Sequence, residues 1–177
     1  MLREPVDEDD RRVLQLVGFE CVRGRYYMRP VNINAIFSIS ASNLASPLRY
    51  EGSIPGAVNW TNALNGLGRS GDKLYMSPLF AEDAVCYDPV MKSVETLGSV
   101  GRKYDVRFSG LGIPLPSRKS VFFIPDGNKY LIMEYVIAKK EWLYHQECLL
   151  KLHDGIVKPN YIGMVYGGAT YDDRLYY

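Results

Sequence analysis

The residues best suited to metal chemistry lie together in HQECLLKLHD, residues 145–154, which contains both histidines of the chain. Imidazole and thiolate are common zinc ligands, and a structural zinc site needs four such groups in a tetrahedral arrangement. The candidate ligands are His145, Cys148 and His153. Two residues separate the first pair and four separate the second, and this spacing matches no common zinc motif. We therefore predict no metal site and keep these three residues as the candidates to be examined.

The same segment also has a purely structural interpretation. A strand or short amphipathic turn would direct Leu149, Leu150 and Leu152 toward the core and leave the histidines at its edges. The segment lies after the third of several sequence repeats, where the spacing lengthens. Insertions in repeat proteins form loops that are often on a binding face. A role in partner binding therefore stays open even without a metal.

Other catalytic motifs are missing from the sequence. Gly-Leu-Gly at 66–68 and 110–112 lacks the lysine, the third glycine and the strand-to-helix context of a phosphate-binding loop. Ser109 lacks the Gly-x-Ser-x-Gly frame of a nucleophile elbow. Asp88 precedes Pro89 and is interpreted as a turn residue whose carboxylate accepts hydrogen bonds from turn amides. We predict no catalytic residue and no cofactor.

A repeated phrase indicates the architecture that positions these residues. It reads RYYMRP at 25–30, KLYMSP at 73–78, SVFFIP at 120–125 and RLYY at 174–177. The three prolines are 48 and 47 residues apart. A fixed period of roughly 20 to 50 residues is typical of solenoids, propellers and arrays.

Each repeat contains four short apolar or aromatic runs, which is the strand pattern of a propeller blade. After the phrase come a second run, such as AIFSI at 35–39, and a third, such as SVETL at 93–97. Before it comes a run with small residues near its end, such as VRFSGLG at 106–112. β-Propellers arrange four-stranded antiparallel sheets radially around a channel. We predict an all-β fold: a β-propeller-like array of four-stranded antiparallel blades, about three and a half in number, in an open or incomplete ring.

The predicted packing follows from the same pattern. Glycine suits the innermost strands, because blades converge there and glycine permits close backbone approach. Aromatic residues that recur with the repeat are predicted to form the core. They are Tyr26, Tyr27, Tyr75, Phe122, Phe123, Tyr176 and Tyr177.

The segment DKLYMSPLFAEDAVCYDPVMKSVETLG, residues 72–98, resembles the repeat of the YVTN family of β-propellers. That unit has a K-V/L-Y-x-x-x strand, a V-x-x-x-D strand and a final V-x-x-I/L strand. The first and third repeats follow it loosely, with Ser40 in place of the aspartate in the first and Glu134 or Tyr135 in the third. The resemblance implies a propeller and selects no function, because such folds host enzymes, ligand binders and scaffolds alike.

Charge and composition limit the classes of partner that the chain is expected to bind. The chain has 177 residues with 21 basic and 20 acidic side chains, a net charge of +1, which gives no bias toward nucleic acid or membranes. No apolar run approaches the roughly 18 residues of a membrane span. We therefore expect a cytoplasmic protein with no membrane or nucleic-acid partner. Cys21, Cys86 and Cys148 fall in different repeats and are predicted to be reduced core thiols.

The repeats also divide the chain. Residues 1–12 carry mixed charge without an apolar run, which argues against a secretory signal and predicts a flexible leader. Residues 13–177 are predicted to form one domain. Its units span residues 13–52, 57–98, 104–146 and 161–177.

Two classes of function remain. The first is a non-catalytic binding or scaffold module that uses the loop faces of the propeller for protein–protein interaction. The alternative is a propeller enzyme or small-ligand binder with a site at the channel mouth. An enzyme needs convergent acids, histidines or metal ligands at equivalent blade positions, whereas the innermost runs end in Gly, Asn, Ser and Leu. Binding is therefore favoured, although a small ligand in the channel would leave the same pattern.

The strand count predicts what the partner is. Three four-stranded units and two further strands cannot close a ring, which typically needs at least about four blades. An open ring leaves unpaired strand edges and an exposed blade face. The chain is thus expected to be a piece of a longer product, a subunit completed by another chain, or an open arc with blunted edges. We expect a protein partner or further propeller blades completing the ring.

Overall fold

The computed structural model describes residues 16–30, 33–54, 64–78, 83–99, 114–123, 132–145, 169–171 and 174–176. Across these ranges the chain forms fourteen β-strands and no helix. The predicted leader at residues 1–12 lies outside them, as do Cys148 and His153.

The described strands form three four-stranded sheets and one two-stranded sheet. Blade 1 contains β1 (Leu16–Val22), β2 (Arg25–Pro30), β3 (Ile36–Ser40) and β4 (Arg49–Gly52). Blade 2 contains β5 (Leu64–Ser70), β6 (Lys73–Pro78), β7 (Asp83–Asp88) and β8 (Ser93–Ser99). Blade 3 contains β9 (Pro114–Pro116), β10 (Ser120–Phe123), β11 (Ile132–Val136) and β12 (Glu141–His145). The two-stranded sheet contains β13 (Ala169–Tyr171) and β14 (Arg174–Tyr176).

Each sheet is an antiparallel meander in which strands that follow one another in the chain also pair. The first strands of successive sheets contact one another, β1 with β5, β5 with β9 and β9 with β13. Sheets that meet along their first strands and stack face to face are propeller blades. The predicted all-β propeller-like fold is confirmed.

Glycine makes the close approach of the innermost strands possible. Gly18 lies in a β-bulge of β1 with a φ of +78°, and a Cβ there would lie 2.5 Å from Leu67 Cβ of blade 2. A Cβ on Gly68 would lie 2.3 Å from the carbonyl oxygen of Pro114 in blade 3. Any other residue at these positions would force the blades apart, which is the reason expected from the sequence.

The described core consists of apolar side chains held between the blades. Tyr27 and Ile36 of blade 1 pack with Leu74, Met76 and Val85 of blade 2. The other face of blade 2 packs against blade 3. The residues of that second cluster are Tyr75, Ala84, Cys86, Leu97, Val121, Phe123, Met133 and Tyr135. Blade 2 thus buries one apolar face against blade 1 and the other against blade 3, as expected for stacked repeats.

The predicted aromatic core is correct for Tyr27, Tyr75 and Phe123, which are buried. Tyr26 departs from it, since 37% of its surface is exposed. The register gives the reason: Leu74 and Val121 occupy the equivalent positions of blades 2 and 3 and are covered by the preceding blade.

For the other three aromatic residues, the structure gives partial burial of one and does not describe the side chains of two. Phe122 is half-buried on the opposite face of blade 3, and Tyr177 and the side chain of Tyr176 lie outside the described residues.

Two details of how the sequence repeats were matched to one another need correction. The strand paired with β10 is Pro114–Pro116, because the tight turn at 117–119 fixes which residues lie opposite Phe123. The predicted run at 106–112 lies outside the described ranges. Ser120 pairs with Val136, so Val136 takes the place of the repeat aspartate in blade 3, where Glu134 or Tyr135 was expected. Asp88 itself behaves as predicted, since its Oδ1 accepts the amides of Val90 and Met91 at 2.9 and 3.0 Å.

Candidate functional site: a basic cleft and an apolar blade face

His145, the described member of the predicted metal set, is bonded to a carboxylate. Its Nε2 lies 2.8 Å from Oε2 of Glu134, whose Oε1 accepts a 2.5 Å hydrogen bond from the hydroxyl of Ser120. No three His, Cys, Asp or Glu side chains are grouped to hold a metal in the described part of the chain. Cys148 and His153 fall outside that part.

This Ser-Glu-His network does not form a nucleophile with its base. A hydrolytic serine needs its hydroxyl against the imidazole, with the carboxylate behind the ring. Here Glu134 lies between Ser120 and His145, and the Ser120 side chain is buried. The network instead fixes polar groups on the face of blade 3 that points away from blade 2.

A second polar network lies on the face of blade 1 that packs against blade 2 and is partly buried. The hydroxyl of Ser38 donates to Glu51 Oε1 at 2.5 Å and accepts from Arg25 Nη2 at 2.8 Å. Arg49 Nε lies 3.4 Å from the same carboxylate oxygen, and the Glu51 side chain is buried. These contacts satisfy one another, so the cluster has a structural explanation.

Cys86 occupies the position of blade 2 that Ser38 occupies in blade 1, opposite a tyrosine of the second strand. Burial raises the pKa of the Cys86 thiol to about 11. Burial also raises the pKa of the neighbouring Tyr75. A neutral thiol of this kind packs as a small apolar residue and is unsuited to nucleophilic or metal chemistry.

Arg29 is an exception to the satisfied polar core. Its side chain is 1% exposed, and its Nε and Nη1 atoms have no hydrogen-bond partner among the described residues. Burial lowers the pKa of its guanidinium to about 10. A buried, unpaired cation is costly, and sequence reasoning missed it because the phrase RYYMRP gives no sign that this arginine points inward.

A basic cleft of about 720 Å³ opens between blades 2 and 3, at the end of the array where β5 turns into β6 and β9 into β10. Its described lining includes the cations Arg69, Lys73 and Arg118 and no acidic residue. The hydroxyl of Ser70 donates to the Ser117 carbonyl at 2.7 Å and ties the two turns together.

The cations of the cleft are held in different ways. Arg69 donates through Nε to the Gly71 carbonyl at 2.7 Å and through Nη1 to the Cys21 carbonyl of blade 1 at 2.5 Å. Lys73 lies 4.0 Å from the Asp88 carboxylate, which is a long ion pair. Arg69 therefore has a fixed position, whereas Lys73 can turn toward a ligand.

The second candidate surface is the outer face of blade 1, which consists of Phe19, Tyr26, Met28, Phe37, Ile39 and Tyr50. Phe19, Met28, Phe37 and Tyr50 lie directly opposite one another across all four strands. Phe19 is 56% and Tyr50 57% exposed, and the Phe37 and Tyr50 rings meet edge to face at 6.0 Å. Met28, within the row, is buried, and the exposed aromatic side chains beside it are of the kind that marks an interaction site.

The same positions are covered in the other blades. Met76 and Val85 of blade 2 match Met28 and Phe37 and are buried against blade 1. Phe123 and Met133 of blade 3 are their equivalents and are buried against blade 2. In each case the covering surface is the opposite face of another blade.

Comparisons with known proteins support the fold. No family model and no curated protein matches the sequence. A chain of the nidogen–laminin complex aligns with a TM-score of 0.53 and 13% identity, covering 76% of this chain and 48% of that one. Hydrazine synthase from Kuenenia stuttgartiensis aligns with a TM-score of 0.52 and 10% identity, covering 73% of this chain and 35% of that one.

These neighbours are β-propeller proteins, and the class of this protein is therefore a β-propeller. The chain spans about half or less of the length of the structures it matches. At such low identity the likeness supports the fold and does not select the YVTN repeat.

Proposed function

We propose that this chain is a non-catalytic binding or scaffold module of a larger propeller, in which a further blade packs on the outer face of blade 1. The observation that carries the proposal is the apolar row from Phe19 to Tyr50, whose two end residues are exposed although Met28 within the row is buried. Burying a large apolar side chain contributes about 1.5–3 kcal/mol, so covering this face would be strongly favourable.

The occupant is inferred from repetition within the molecule. Both equivalent faces among the described blades are covered by a blade, with Tyr27 and Ile36 above blade 2 and Tyr75 and Cys86 above blade 3. The expected occupant is thus a four-stranded sheet with tyrosine and small or aliphatic residues in its second and third strands. It belongs to the same polypeptide or to a partner chain.

The non-catalytic part of the proposal is supported by side-chain geometry. The Ser120, Glu134 and His145 network has the wrong order for nucleophilic catalysis.

No helix long and apolar enough to cross a membrane occurs in the described ranges. The cytoplasmic location and the YVTN-type repeat stay predictions.

The proposal is tested by native mass spectrometry and thermal denaturation of the protein purified from the organism that naturally produces it. We expect a mass above the 20.1 kDa of this chain. The double variant Phe19→Ser/Tyr50→Ser should either release this chain from its partner or, where the blade is covalently continuous, lower the melting temperature. The control Val90→Ser/Met91→Ser removes two exposed apolar side chains from the β7–β8 turn and should change neither. A wild-type mass of 20.1 kDa with a melting temperature insensitive to the first variant would contradict the proposal.

A further inference from the structure

We propose that the basic cleft between blades 2 and 3 binds an acidic segment of a partner protein. This deepens the binding role proposed above, on which it rests, and uses a surface separate from the outer face of blade 1. The cleft lies where turns of several blades meet, and loop sites on a rigid scaffold are where recognition concentrates.

The local charge distribution carries the inference. Among the described lining residues three are cationic and none is acidic, although the whole chain has a net charge of only +1. Asp72 lies between the lining residues Gly71 and Lys73 in the sequence, and its carboxylate pairs with Arg23 of blade 1 at 2.6 Å. The described lining of the cleft therefore carries positively charged side chains only.

For Lys73 and Arg69, the acids among the described residues compensate the positive charge only in part. Asp88 lies 4.0 Å from Lys73, and Glu95 pairs at 2.5 Å with Lys140. Arg69 lowers the pKa of Glu20, although burial raises it overall. A ligand carboxylate in the cleft could form a shorter ion pair with Lys73 than the 4.0 Å pair that Lys73 makes with Asp88. It would also meet Arg69, which main-chain carbonyls already hold in place.

The shape and the apolar walls favour a peptide over a free anion. A cleft of about 720 Å³ is far larger than one phosphate requires and lies within the usual range of about 300–1,000 Å³ for ligand sites. Ile137 and Pro116 line one part of it, and Tyr171 stands 75% exposed at the rim. Such groups contact the stems of glutamate or neighbouring side chains, which an inorganic ion lacks.

Nucleic acid is disfavoured by the same features. A protein that binds the nucleic-acid backbone uses an extended basic surface, whose Lys and Arg side chains neutralise several phosphates. The described cations of the cleft are gathered in one concavity instead. The argued ligand is therefore a run of aspartate or glutamate residues in a flexible segment.

The test is fluorescence anisotropy with a short labelled peptide of alternating Glu and Gly. We expect binding in the range of about 10–100 μM at about 50 mM salt, weakened severalfold at about 500 mM salt by screening. Lys73→Glu and Arg118→Glu should each weaken binding at least about tenfold. Lys92→Glu makes the same charge change on an exposed turn residue outside the cleft and should leave binding unchanged.

Several results would overturn the inference. They are no binding by the wild type, equal binding by Lys73→Glu, or an equal response to Lys92→Glu. Tighter binding of inorganic phosphate or of a single-stranded oligonucleotide would assign the cleft to another ligand class. Melting temperatures show whether each variant is folded. Loss of blade assembly in the Phe19→Ser/Tyr50→Ser variant is read by mass, so the two proposals fail separately.

Discussion

Gly68 lies where the innermost strands of blades 2 and 3 come together. A Cβ would lie 2.3 Å from a main-chain oxygen, which cannot move aside as a flexible side chain could. Gly68→Ala should therefore lower the free energy of unfolding by about 2–3 kcal/mol through overpacking. Gly24→Ala is the control: its φ of +75° is unfavourable for alanine, but the site is open and should cost only about 1 kcal/mol. Denaturant unfolding compares the two, and an equal loss would contradict the close approach.

Cys86 gives a prediction on pH and reactivity. Because burial raises the pKa of this thiol to about 11, against about 8.5 for a free cysteine, little thiolate exists at pH 8. Iodoacetamide should modify Cys86 at least about a hundredfold more slowly in the native protein than in the unfolded protein. Folding favours the neutral thiol, so its contribution to stability is complete below about pH 8.5 and is lost as the pH rises toward 11. Peptide mapping measures the rates, and comparable native and unfolded labelling would contradict the burial.

Arg29 tests the opposite case, a buried cation whose Nε and Nη1 have no partner within the described ranges. Arg29→Met keeps much of the volume and removes the charge, and should raise the free energy of unfolding by about 1–3 kcal/mol. Arg25→Met is the matched control and should destabilise, because Arg25 donates to Ser38. A loss of stability in Arg29→Met would show that the guanidinium has an acidic partner in the assembled protein.

The residue scale also shows where sequence reasoning ends. The role of glycine in the innermost runs and of Asp88 in its turn could be predicted, because each follows from local backbone chemistry. The burial of Arg29 and the gathering of the cleft cations could not. They depend on which face of each strand packs against another blade. That packing joins segments about 48 residues apart in the sequence, and it changes with strand register.

At the scale of elements, Trp142 joins two blades. Its Nε1 donates to the Leu97 carbonyl of blade 2 at 2.7 Å, and its ring lies 5.2 Å from Phe123 and 5.1 Å from Tyr135. Trp142→Phe keeps an aromatic ring but leaves that carbonyl without this donor, which should cost about 1–2 kcal/mol. Leu143→Ala, on the opposite face of β12, should cost less than about 1 kcal/mol. Chemical denaturation followed by circular dichroism measures both, and an equal or larger loss in Leu143→Ala would contradict the contact.

Strand identity was accessible from the sequence, whereas strand register was not. The repeated phrase located β2, β6 and β10, since alternating aromatic residues followed by proline recur at a fixed period. The position of Val136 and the strand at Pro114–Pro116 required the hydrogen-bonded pairs, because weak repeats can be aligned with a slip of one or two residues. Such a slip moves side chains to the other face of a sheet.

On the scale of the whole molecule, blade stacking explains both candidate surfaces. Blade 2 presents one face to blade 1 and the other face to blade 3. The outer face of blade 1 carries apolar residues at the positions that are covered in blades 2 and 3, and this correspondence is the basis for proposing that a further blade covers it. The basic cleft forms where the turns of two blades are tied by the bond from Ser70 to Ser117.

The most direct test of the account is the identity of what covers Tyr50. A photoreactive benzoylphenylalanine replaces Tyr50 in the protein produced in its own cells, and cross-linked peptides are mapped by mass spectrometry. A covering blade should give cross-links at alternate residues of a β-strand, in this polypeptide or in a partner. The same group at Met91, which is 73% exposed in a turn of blade 2, should give none above background. Equal cross-linking at the two positions, or none at Tyr50, would contradict the central claim that this chain is part of a larger propeller.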